Sequence, residues 1–146
     1  MKKIFKITVM FYFLINSFNF SLSSENFFNK GLELYKKEKF EDARFMFERS
    51  IVFNPKDSNS YLYLAKIYNI EEDKKKEEKN LEATLLIEPN NEEATLMLIE
   101  IELEKSNFSV VEELLSKFEV ICESKCDQKS LIRDKLKTVS YTHLRA

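Results

Sequence analysis

Glycine is almost missing from this chain: Gly31 is the only one among 146 residues, beside two prolines, two cysteines and one histidine. One glycine cannot build the Gly-rich loops that cradle phosphates, so most nucleotide-binding motifs are excluded. The lone histidine, His143, sits near the end of the chain. Catalysis by a Ser–His or Cys–His pair would rest on it alone, and a metal site would lack further nitrogen ligands. The many glutamates offer carboxylates, but nothing singles out two of them for acid–base work. No catalytic residue, metal or cofactor is therefore expected, and the chain reads as no enzyme. What fills the sequence instead is Glu, Lys and Leu, with 33% charged and 44% hydrophobic residues. With so few breakers, that composition predicts an all-α protein rather than any sheet fold.

Residues 1–23 are of a different kind. Lys2, Lys3 and Lys6 precede an apolar run from Ile7 to Phe20, and Ser21, Ser23 and Ser24 follow it. A basic region, an apolar region and a small-residue exit are the parts of a secretory signal. The run has 14 residues, short of the roughly 20 that a membrane span needs. The expectation is a cleaved signal peptide and a periplasmic or secreted product; the alternative is an uncleaved anchor in the inner membrane. Cleavage after Ser23 removes three lysines and no acid, taking the formal net charge from −2 to −5. An acidic mature chain disfavours nucleic acid and anionic membrane surfaces as partners. Membrane contact is expected only if residues 7–20 remain as an anchor.

Beyond Ser24 the punctuation recurs. Pro55 and Pro89 are 34 residues apart, and each follows a polar residue, Asn54 or Glu88, that ends a helical pattern. A fixed period of 20–50 residues signals stacked repeats. Three units are expected, at 24–57, 58–91 and 92–125, followed by a terminal helix at 126–139. That last helix is read either as a cap for the array or as the start of a fourth repeat. Residues 140–146, SYTHLRA, fit neither pattern and are expected to be a non-native tail.

The first unit carries Phe27, Gly31, Tyr35, Phe40, Ala43, Phe47, Ser50 and Pro55 in one register. Gly31, Ala43 and Ser50 are small where helices cross closely; Phe27, Phe40 and Phe47 are large where a gap must be filled. This set resembles the tetratricopeptide repeat, a 34-residue helix–turn–helix unit. The second unit keeps Tyr61, Leu64, Ala65, Tyr68 and Pro89 but has Lys74 and Glu77 where the family has an aromatic and an alanine. The charged run Glu71–Lys79 is read as a solvated helix start with mixed-sign pairs rather than as a binding stripe, with the Lys74 and Glu77 stems lying over a neighbour. The third unit is degenerate, with Val111, Leu115 and Phe118 at signature positions and no closing proline. Cys122 and Cys126 stand four apart, and in an exported protein such a pair is a candidate disulfide.

The resemblance implies an α-α superhelix whose first helices line a concave face that takes a peptide. Those positions are Phe28, Leu32 and Tyr35 in the first unit, Leu62, Lys66 and Asn69 in the second, and Leu96, Glu100 and Leu103 in the third; the competing reading is that some of them pack against the terminal helix or the amino-terminal segment. The family variant that grips a terminal carboxylate uses Lys, Asn and Arg on this face. Phe28, Leu32, Leu96 and Glu100 argue against such a clamp here. The implied function is a scaffold for a protein or peptide partner, with no nucleic acid and no small-molecule substrate. The alternative is the amino-terminal part of a longer cell-envelope repeat protein with a structural or assembly role.

Overall fold

A computed structural model describes residues 25–143. The expected signal or anchor, residues 1–23, lies outside the described residues. Among the described residues seven helices follow one another in antiparallel pairs: α1 at 25–36, α2 Phe40–Phe53, α3 Ser58–Ile70, α4 Lys74–Ile87, α5 Glu92–Glu104, α6 Phe108–Ile121 and α7 Gln128–His143. Helix α7 runs past the expected end at Val139. Among the described residues, no helix is long and apolar enough to cross a membrane.

The 34-residue period is written into the backbone. Glu38, Glu72 and Ser106 all take positive φ, at 56°, 58° and 60°. Each ends the first helix of its unit in the same motif. Lys39 N–H donates to Leu34 O, Asp73 N–H to Tyr68 O and Asn107 N–H to Glu102 O, at 3.0, 2.9 and 2.9 Å. This six-to-one bond around a left-handed residue is the Schellman stop, a place usually given to glycine. The second helices end with equal regularity: Asn54, Glu88 and Cys122 donate their backbone N–H to Ser50, Thr84 and Phe118 O. Three helix starts are capped by side chains that accept a backbone N–H, Asp57 from Ser60, Asp73 from Lys76 and Asn91 from Ala94. Such a cap stabilises its helix by about 1 kcal/mol.

Three clusters form the core. Ala43, Phe47, Leu64, Ile67 and Tyr68 join the first pair to α3. Leu62, Ala65, Leu81, Ala94 and Ile101 join the second pair to α5. Ile99, Val111, Leu115, Phe118 and Ile132 join the third pair to α7. Burial of each Leu, Ile or Phe contributes roughly 1.5–3 kcal/mol. Where α1 crosses α2, a Cβ on Gly31 would stand 2.7 Å from Phe47 Cε1. Phe27 stacks on Phe53 at 5.2 Å, and Phe40 meets Tyr35 edge-on at 5.5 Å. Ser50, Ala65 and Tyr68 are buried, Tyr61 is half-buried, and Pro55 and Pro89 are exposed at the corners.

One expectation is corrected. The run Glu71–Lys79 is not simply a solvated helix start: Glu77 is 1% exposed, with its carboxylate inside the joint between α3 and α4. Asn69 Nδ2 donates to its Oε1 at 2.8 Å, and Lys74 Nζ stands 3.4 Å from Oε2. A buried charge survives only when it is paired in this way. Its neighbours in the run reach across the joints, Glu71 to Arg44 at 3.0 Å, Glu78 to Lys105 at 2.5 Å and Lys74 to Glu104 at 3.2 Å.

The third corner is held differently from the first two. Glu123 stands where Pro55 and Pro89 stand in the earlier units. Here the Glu92 carboxylate accepts the backbone N–H of Glu123 at 2.6 Å, of Ser124 at 3.1 Å and of Lys125 at 3.0 Å. These bonds hold its carboxyl below the usual carboxylate range. Cys122 and Cys126 are bonded across the same corner, with their Cα atoms 5.4 Å apart.

Candidate protein-interaction face

The nine positions assigned to the concave face differ widely in what they present. Phe28 and Tyr35 are half-buried and pack on Tyr63, with ring centroids 5.8 and 5.1 Å from it. Leu62 is 5% exposed and belongs to the second core cluster, which leaves little of it for a partner. Lys66 pairs with Glu93 at 3.0 Å and lies over the Tyr63 ring at 4.6 Å. Asn69 is engaged with Glu77. Leu96 and Leu103 pack partly against the third cluster. Leu32 is half-buried, and Glu100 is exposed. The face therefore offers an aromatic edge at its start, a tethered cation in the middle, and leucines with an acid at its end.

Two buried carboxylates next to this face were not legible as such in the sequence. Glu77 is one. Glu102 takes the place that Tyr68 holds in the second unit, and it accepts from Asn107 Nδ2 at 2.6 Å and Lys105 Nζ at 3.0 Å. Burial pushes its carboxyl up, but those two donors and the Lys105 charge prevail, so it sits below its ordinary value. The signal that was available is the spacing itself: both acids fall on signature positions of the repeat. No arrangement of nucleophile, base and donor is built from them, and both are tied into joints between helices.

This geometry is an all-α, tetratricopeptide-type superhelix of paired helices. Solved structures with the same fold include the TPR2B domain of yeast Sti1 in complex with pHsp70, with a TM-score of 0.72 and 15% identity over 81% of this chain and 98% of that one. The first TPR of Spaghetti (RPAP3), bound to the HSP90 peptide SRMEEVD, has a TM-score of 0.71 and 10% identity over 82% and 98%. The Yersinia enterocolitica type III secretion chaperone SycD, in complex with a peptide of the translocator YopD, has a TM-score of 0.67 and 17% identity over 82% and 93%. No family model and no curated protein matches the sequence.

Proposed function

We propose that the chain is an exported, non-enzymatic scaffold that binds a segment of a partner protein along the concave face formed by α1, α3 and α5. The observation that carries this reading is the repeat geometry, joined to a face on which Leu32 and Glu100 are accessible without belonging to any core cluster. Support comes from solved neighbours of the same fold whose structures hold peptides. Export rests on the order of Lys2, Lys3 and Lys6, the run Ile7–Phe20 and the serines after it. The partner segment docks by apolar contact at Phe28, Leu32 and Tyr35, with polar pairing at Lys66 and Glu100. Phe28 and Tyr35 also support the first core cluster, so Leu32 and Glu100 give the cleaner test.

Leu32→Asp with Glu100→Lys should abolish partner capture while thermal unfolding stays close to that of the parent chain. Undiminished capture by the folded variant would remove the concave face as the binding site. Export has its own test in the mass and cell fraction of the native product. A soluble exported product beginning near Ser24 is expected, and a full-length product in the membrane fraction would replace the signal with an anchor.

A further inference from the structure

The first and third joints can be superimposed position by position, because the 34-residue register holds through α7. Ile132 and Leu136 on α7 fall where Leu64 and Tyr68 fall on α3, and both pack on the third cluster as those residues do on the first. In the first joint the ring of Tyr63 is enclosed by Tyr35 at 5.1 Å, Phe47 at 5.2 Å and Phe28 at 5.8 Å. Four aromatic rings fill that space. Two repeats later the same four positions are Leu131, Leu103, Leu115 and Leu96.

Two of those four leucines, Leu103 and Leu131, border open space. A cleft of about 360 Å³ lies between α5 and α7, lined by Leu103, Leu131, Asp134, Lys135 and Thr138. Leu131, the counterpart of the enclosed Tyr63, is 51% exposed. Its volume falls within the range of clefts that take ligands, roughly 300–1,000 Å³. Apolar walls with a few polar groups at the rim are the usual make-up of a site that takes a side chain or small ligand.

We infer that this cleft is a pocket for an aromatic side chain of the bound partner segment, flanked in that segment by an acidic residue. This deepens the scaffold reading above and rests on it for the partner. The aromatic preference comes from the chain itself, since the matching space in the first joint is filled by tyrosine and phenylalanine rings stacked and edge-on. The acidic neighbour follows from charge complementarity. Lys135 on the rim makes no ion pair among the described residues, whereas Asp134 has Lys137 within 3.8 Å. A tyrosine is especially suited: Leu103 and Leu131 offer its ring apolar walls, and Asp134 and Thr138 offer its hydroxyl polar partners.

The test uses small probes, so that it does not depend on knowing the partner. Titration of the isotope-labelled chain with p-cresol should give saturable amide shifts at Leu103, Leu131, Lys135 and Thr138. Leu131→Tyr fills the cleft as Tyr63 fills the first joint, and should abolish those shifts without loss of fold; Leu103→Tyr is a second variant with the same expected result. The blocked peptide Glu-Tyr-Glu should bind about threefold more tightly than Lys-Tyr-Lys, as a surface ion pair permits, and Lys135→Ala should remove that difference. No saturable shift at these residues, or shifts untouched by both tyrosine variants, would overturn the pocket. Equal binding of the two peptides to the parent chain would overturn the acidic neighbour. Either failure leaves the concave-face reading to be decided by Leu32 and Glu100.

Discussion

At the amino-terminal end the paired helices meet over Gly31 and Phe47; at the carboxy-terminal end the same two positions are Ile99 and Leu115. The unit between them has Ala65 and Leu81. As one partner grows from glycine through alanine to isoleucine, the other shrinks from phenylalanine to leucine. The contact at Gly31 has no slack, with a Cβ there 2.7 Å from the Phe47 ring, yet Ile99 and Leu115 sit together in the third cluster without conflict. Between the first two units the volume shared by the facing pair is nearly kept, and either helix can supply it; the third pair is larger than both. The third unit departs from the family pattern and still buries Ile99 and Leu115 in its core.

The sharpest way to break this comparison is to give the first joint half of the second joint's solution. Gly31→Ala should destabilise the chain by about 2 kcal/mol through overpacking, partly offset by the roughly 1 kcal/mol that alanine gains over glycine within a helix. Phe47→Leu alone should also destabilise, through the space it leaves. Together they recreate the Ala65–Leu81 pair, and denaturant unfolding should show the double variant well short of the sum. Strict additivity would refute shared volume.

A second comparison concerns the turns. Glu38, Glu72 and Ser106 hold the left-handed stop that ends each first helix, a conformation that costs a residue with a Cβ about 1–2 kcal/mol. Replacing each singly by glycine should stabilise the chain by about 1 kcal/mol, to nearly the same extent in all three units. A gain confined to one unit would mean that the turns are not equivalent.

The smallest effect should appear at the corners. Glu92 holds the third corner through hydrogen bonds that favour its charged form, so its folded value lies below its unfolded one. The stability that it contributes is complete above about pH 4.5 and is lost as pH falls through the folded value. Protection of the Glu123, Ser124 and Lys125 amides should decline over that range, and Glu92→Gln should flatten the decline. Protection that stays pH-independent in the parent chain would discount the carboxylate.

How far the sequence could be read followed the physics of each signal. The period was visible because Pro55 and Pro89 are unambiguous stops, and the first unit because Gly31, Ala43 and Phe47 differ strongly in size. Helix stops at Glu38, Glu72 and Ser106 escaped because the usual glycine marker is absent. Glu77 and Glu102 escaped because a glutamate in a helix is normally solvated, and only the positions of Asn69, Lys74, Lys105 and Asn107 in space make their burial tolerable. Register placed Leu62 and Leu32 on one face but said nothing of exposure, which depends on how closely the next helix covers each. Glu92 carried no signal in the sequence, because its partners lie more than thirty residues away.

The ion pairs at the joints also act on assembly. Arg44 on α2 meets Glu71 at the end of α3, and one repeat later Glu78 on α4 meets Lys105 at the end of α5. The positions correspond, but the polarity is inverted. Units so alike in shape can stack out of order while the chain is folding, or on units of another copy. If α2 docked on α5, Arg44 would face Lys105; if α4 took the place of α2 against α3, Glu78 would face Glu71. Each wrong neighbour is met by like charge, and discrimination of this kind depends on repulsion in the wrong pairing as much as on attraction in the right one. The inverted sign distinguishes the first of these joints from the second, so that electrostatics favours the native order of those two joints alongside the connectivity of the chain.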